Sequence, residues 1–150
     1  MLDTVVFTDP KAIAFFTDEM VLVKIHAEQD TLTRQKYRVM GFPTSVLVRR
    51  DGTEIDRVVG FAPTEEYIGA FRDLSKGIGT IDDLMARFEK SPNRDTAFVI
   101  ADKFKYKGES AQAEVWYGKV LEMGPAGDSL AGEAQVAMGD MYMRAKDYPK

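Results

Sequence analysis

The spacing of apolar residues changes character near residue 77. Before that point helical spacings alternate with short β-rich runs. Asp9-Pro10 opens the first helix, because Asp9 can accept an N-terminal amide and Pro10 sits where a missing donor costs nothing. Ile13, Phe16 and Met20 then share its inward face. Residues 21–25 read as a buried strand, and 30–37 as a short polar helix with Leu32 and Lys36/Tyr37 at helical spacing. Gly41-Phe42-Pro43-Thr44 breaks the chain, since Pro43 lacks an amide donor and drives Phe42 away from helical angles. Residues 45–49 and 54–59 flank Asp51-Gly52, a dipeptide suited to positive φ, which predicts an antiparallel hairpin. Thr64 is expected to cap the next helix, with Glu65 and Glu66 near its positive end and Tyr67, Ile68, Phe71 and Leu74 as the inward stripe.

Beyond Gly77 and Gly79 the β signal disappears. Thr80-Ile81-Asp82-Asp83 starts a helix with Ile81, Leu84, Met85 and Phe88 on one side. Pro92-Asn93 caps another that runs through Phe104 and Tyr106, Gly108 breaks it, and helices follow over 110–123 and 131–144. The boundary falls near 77–79, which predicts two domains, 1–77 and 80–150. In the second, Ala97-x2-Ile100-Ala101-x2-Phe104, a turn at Gly108, then Ala113-x3-Tyr117 and Pro125 set small and large residues at offsets that let two helices nest and stack. Another register begins at Gln135-x2-Met138-Gly139-x2-Tyr142, followed by Asp147-Tyr148. This pattern resembles the tetratricopeptide repeat. The offset from Phe104 to Tyr142 is 38 residues, against about 34 for that repeat, so extra residues fall in 124–132. A plain helical bundle with ordinary core alanines and aromatics is the alternative. Lys150 precedes the next packing position by one residue, so the repeat region is expected to be partial at its C-terminus.

Composition removes several classes of chemistry. The 150 residues contain no cysteine, which excludes disulfides, thiolate nucleophiles and thiolate metal ligands within the chain. One histidine, His26, provides no imidazole cluster for zinc and pairs with no evident serine nucleophile. No metal, cofactor or catalytic residue is assigned. Net charge is −4 with cations spread along the chain, which offers no footprint for nucleic acid. No apolar run approaches the ~18 residues that a membrane span needs.

The order helix, strand, helix, Gly-x-Pro-Thr, hairpin, capped helix resembles the later two-thirds of the thioredoxin fold. The words that carry the resemblance are Tyr37-Arg38-Val39-Met40-Gly41-Phe42-Pro43-Thr44, Asp51-Gly52 with Val58-Val59-Gly60-Phe61, and Val23-Lys24-Ile25 with Glu28 and Asp30. The expected fold is therefore an α/β thioredoxin-like domain, incomplete and missing its N-terminal strands, followed by all-α helical hairpin repeats. In that family the proline is cis and lies beside a redox dithiol, so the resemblance implies substrate-binding roles for Phe42, Pro43 and Thr44, with Phe42 offering backbone groups to an extended peptide. An ordinary trans proline at the start of an edge strand is the alternative. The stretch Leu2-Asp3-Thr4-Val5-Val6-Phe7-Thr8-Asp9-Pro10 looks like the sequence that follows Cys-x-x-Cys in secreted thioredoxin-like proteins, which implies a dithiol just ahead of Met1.

Two functions follow from these readings. The first is a fragment of a thiol-disulfide oxidoreductase with a repeat-based protein-binding tail, the parent being the enzyme. The second is a cysteine-free thioredoxin-like adaptor or holdase that binds extended peptides. Both take protein or peptide clients and a repeat-bound protein partner, with no nucleic acid and no membrane span. The secreted relatives favour the bacterial periplasm or cell envelope.

Overall fold

The computed structural model describes residues 5–147. Leu2, Asp3 and Thr4 of the opening stretch, and Tyr148 and Lys150 of the second repeat register, lie outside the described residues. In chain order the elements are α1 (Pro10–Glu19), α2 (Thr31–Lys36), β1 (Thr44–Val48), β2 (Glu54–Val59), α3 (Thr64–Ser75), α4 (Ile81–Lys90), α5 (Arg94–Tyr106), α6 (Ser110–Glu122) and α7 (Ser129–Asp147). The chain divides into two compact units, residues 1–80 and 81–150.

In the first unit, Asp9 caps α1 by accepting the Lys11 amide at 2.9 Å, and Pro10 fills the first helical turn. The inward face runs through Ala12 and Phe16, whereas Ile13, expected inside, is 50% exposed. Phe7 and Phe15 complete the packing around Phe16, their rings edge-on to it at 5.8 and 5.1 Å. Tyr67, Ile68, Phe71 and Leu74 of α3 are buried as their spacing requires, and Tyr67 and Phe71 meet the Phe16 ring. Such edge-on aromatic pairs each contribute about 0.5–1.5 kcal/mol beyond their buried area. The Tyr67 hydroxyl donates to Ser45 Oγ, tying α3 to β1, and burial holds that phenol above the ordinary tyrosine range.

Thr64 does not cap α3. It is the first helical residue, Pro63 stands at the cap position, and no side chain bonds the free amides there. The helix ends with the Gly77 amide donating to Leu74 and the Ile78 amide to Asp73, at 3.0 and 2.9 Å. Gly77 closes that turn at φ 76°, a left-handed conformation that favours glycine.

β1 and β2 pair antiparallel from Thr44 opposite Val59 to Val48 opposite Glu54, with a bulge between Leu47 and Val48. The Arg49 amide donates to the Thr53 carbonyl at 2.8 Å, and within the turn only Gly52 takes a positive φ, 81°. That is a three-residue loop closed by a left-handed glycine rather than the two-residue turn Asp51-Gly52 suggests.

The strand expected over 21–25 does not form. Among the described residues the sheet has two strands, and Val21 and Val23 are 91% and 67% exposed. β-branched composition favours a strand only where a neighbouring strand completes the ladder, and none lies beside this segment.

In the second unit, Asn93 caps α5 by accepting the Thr96 amide at 2.8 Å. Arg94 at the start of α5 reaches the Val120 carbonyl near the end of α6 at 2.7 Å, and Tyr117 donates to Asp102, so the two helices run antiparallel. Their facing residues Ala97, Ile100, Ala101, Phe104, Ala113 and Val120 are all buried. Trp116 is core, edge-on to Phe88 of α4 at 5.0 Å. α7 adds Ala134, Ala137 and Met141 to this core. Met138 also packs there, while Met123 and Met143 are exposed. Burial and the Asp102 carboxylate push the Tyr117 phenol far above its ordinary range.

Candidate functional site

The segment that bears Phe42, Pro43 and Thr44 is built outward from α2. Asp30 caps that helix by accepting the Thr33 amide at 3.0 Å, and this backbone hydrogen bond holds its carboxyl below the usual range. Arg38 then adopts φ 47°, the left-handed region that non-glycine residues rarely enter, and the Val39 amide returns to the Arg34 carbonyl at 3.0 Å. The chain is thereby turned away from the helix and into the loop at 39–43.

The loop is gripped at both ends. Behind it, the Arg57 guanidinium forms a bidentate pair with Glu54, both bonds 2.7 Å, and Arg57 Nη2 also donates to the Tyr37 carbonyl at 2.7 Å. The Arg57 side chain is buried and that of Glu54 is 11% exposed, so the carbonyl supplies part of what the guanidinium loses by leaving water. The Tyr37 hydroxyl donates to the Gly52 carbonyl at 2.9 Å, which fastens α2 to the hairpin turn. In front, the Pro43 carbonyl accepts the Gly60 amide at 2.9 Å and continues the hairpin ladder by one bond.

Between these anchors the Phe42–Pro43 bond is cis. Phe42 is 62% exposed, and its own amide and carbonyl make no hydrogen bond among the described residues. Thr44 is turned back into the loop, its Oγ1 donating to the Gly41 carbonyl at 2.7 Å, so its hydroxyl hydrogen is already committed. The three predicted residues therefore sit together at the head of β1, with Phe42 presenting backbone groups, Pro43 anchored through its carbonyl and Thr44 bracing the loop. Sequence reading missed Arg34, whose Nε donates to the Val39 carbonyl at 3.3 Å while its guanidinium carbon lies 5.6 Å from the centre of the Phe42 ring. It also missed the buried Arg57–Glu54 clasp.

His26 and the 77–80 linker are ordinary in their surroundings. His26 is exposed, and its carbonyl accepts the Gln29 and Asp30 amides in a simple turn. Thr80 Oγ1 donates to the Gly77 carbonyl at 3.1 Å, closing the 77–80 linker on itself. Among the described residues no group of three or more histidines and carboxylates is placed to hold a metal ion, and no helix is long and apolar enough to cross a membrane. A shallow apolar recess of about 260 Å³ lies between Phe7, Ala12, Ile13, Phe16, Thr17 and Leu22, away from the loop.

Comparison with known proteins agrees with this geometry. Thioredoxins from Staphylococcus aureus strains Mu50 and MW2 are each 41% identical to the chain over 44 residues, which is 29% of this chain and 41% of theirs. The chain thus spans about two-fifths of the length of the curated relatives it matches. No solved structure matches it. The thioredoxin-like domain family matches residues 1–75, half of the sequence and the whole of the α1-to-α3 arrangement that carries the cis-proline loop. By that match the chain belongs to the thioredoxin-like domain family.

Proposed function

We propose that residues 5–76 act as the peptide-docking half of a thioredoxin-like thiol-disulfide oxidoreductase, whose sulfurs are carried on polypeptide outside these 150 residues. The observation that carries the reading is Phe42: an exposed residue ahead of β1 whose amide and carbonyl are both unbonded among the described residues, as strand addition of an extended peptide requires. The exposed run at 21–25 and the open edge of β1 add support, being the two strand positions a central strand would join. Since thiol-disulfide exchange requires an attacking thiolate and the chain has none, electron transfer is not performed by this chain alone. The helical unit serves in this reading as a tetratricopeptide-like surface that recruits a protein partner. Its support is the antiparallel α5–α6 pair with alanines 97, 101 and 113 at the close contacts. The bacterial cell envelope is the compartment this function favours.

Thiol alkylation and intact-mass mapping of the natively expressed polypeptide tests the proposal. The expected result is a Cys-x-x-Cys pair on sequence leading into Leu2. A natural polypeptide without cysteine overturns it and leaves the second reading, a peptide-binding adaptor or holdase, which the exposed Phe42 backbone and the absence of cysteine together favour.

A further inference from the structure

We propose that the Phe42 loop selects extended peptides that carry acidic side chains, with Arg34 and Arg38 as the selecting cations. The inference rests on the peptide-docking reading and adds the chemistry of the client. Between residues 34 and 50 lie five cations, Arg34, Lys36, Arg38, Arg49 and Arg50, and no carboxylate, in a chain whose net charge is −4. The basic stretch therefore stands out against an acidic protein, and it brackets the residue whose backbone is unbonded.

Arg34 is fixed in place rather than free to swing. Its Nε bond to the Val39 carbonyl and its position near the Phe42 ring hold the guanidinium beside the docking backbone, while its terminal nitrogens make no hydrogen bond among the described residues. Arg38 is exposed, and neither arginine forms an ion pair among the described residues. The nearest carboxylate in sequence, Asp30, is engaged with the Thr33 amide. Arg34 at the Phe42 ring and Arg38, exposed four residues ahead of Phe42 in the chain, complement a glutamate or aspartate on the incoming peptide, and a planar guanidinium already held in position loses little freedom on accepting a carboxylate. Phe42 adds an apolar face against which the peptide can pack, so binding draws on backbone, ring and charge together.

Fluorescence anisotropy on the 150-residue chain tests this with three labelled peptides of one extended, cysteine-free sequence, carrying glutamate, glutamine or lysine at two positions. The glutamate peptide is expected to bind about three- to tenfold more tightly than the glutamine peptide, two partly exposed ion pairs each being worth a fraction of a kcal/mol to about one, and the lysine peptide most weakly. The preference should shrink as salt is raised. Arg34→Gln with Arg38→Gln should bring the glutamate and glutamine peptides to equal affinity, while Phe42→Ala should weaken all three alike. Equal binding of all three to the unaltered chain, with sensitivity to Phe42→Ala retained, overturns acidic selection and leaves peptide docking intact. Binding of none overturns both.

Discussion

Arg57 Nη2 lies 2.7 Å from the carbonyl oxygen of Tyr37, and through that bond strand β2 holds the end of α2 from which the Phe42 loop departs. The guanidinium is simultaneously paired with Glu54; Arg57 is buried and Glu54 largely shielded from water. Replacing only Arg57 with methionine strands the Glu54 carboxylate and the Tyr37 carbonyl, so Arg57→Met should destabilise the chain by about 3–5 kcal/mol. Urea denaturation followed by tyrosine fluorescence reads this, and a change below about 1 kcal/mol would show the pair to be solvated.

A tight contact in the helical unit leads to a second expectation. A Cβ at Gly124 would collide with the Arg94 guanidinium. Arg94 is not free to yield, since it donates to the Val120 carbonyl and pairs with Asp128. Gly124→Ala should therefore displace it and cost about 1–3 kcal/mol in thermal or urea unfolding. An unchanged midpoint would mean that the arginine has an equally good second position.

The same arginine sets a pH dependence. Its hydrogen bond, with the Ala131 amide, holds the Asp128 carboxyl below 3.8 in the folded chain. A depressed carboxyl stabilises the fold above its unfolded value, and that contribution is lost as pH falls through the folded value. Stability of the unaltered chain should therefore decline below about pH 4, and Asp128→Asn should flatten that limb while lowering stability at neutral pH. A parallel acid limb in the two proteins would contradict the assignment.

Most helices were legible in the sequence because each carries its own signals. Asp9-Pro10, Asp30 and Asn93 mark starts through side-chain caps the structure contains, and the Tyr67 to Leu74 stripe is buried as its period requires. What failed depended on distant partners. Residues 21–25 have the composition of a strand but no ladder to join, and the rings that pack on Phe16 are Phe7 and Phe15, a meeting no helical period encodes, while Ile13 stays half exposed. At the candidate site, one proline-containing word pointed to Phe42, Pro43 and Thr44, which lie together at the head of β1 around a cis bond. Arg34 and Arg57 were not, because their roles come from a ring eight residues away and a carbonyl twenty residues away. The run of cations between 34 and 50 was the one available signal for the former.

The small size of the sheet also limits stability. A two-stranded sheet is marginal unless packed against helices, and here α3 covers one face while 21–25 leave apolar surface in water. The first unit should unfold with a midpoint below about 65 °C, the upper end of the ordinary mesophile range. Calorimetry that finds a single cooperative transition above that temperature would contradict the structural role given to the unpaired segment.

The account depends most on the unbonded backbone of Phe42 accepting an extended peptide. An amide NMR titration of the 150-residue chain with such a peptide reads this directly. The largest shifts are predicted at the amides of Phe42 and Thr44, with the Phe42 signal moving furthest. Saturable binding that leaves those signals in place and moves others would contradict the assignment of this loop as the docking site.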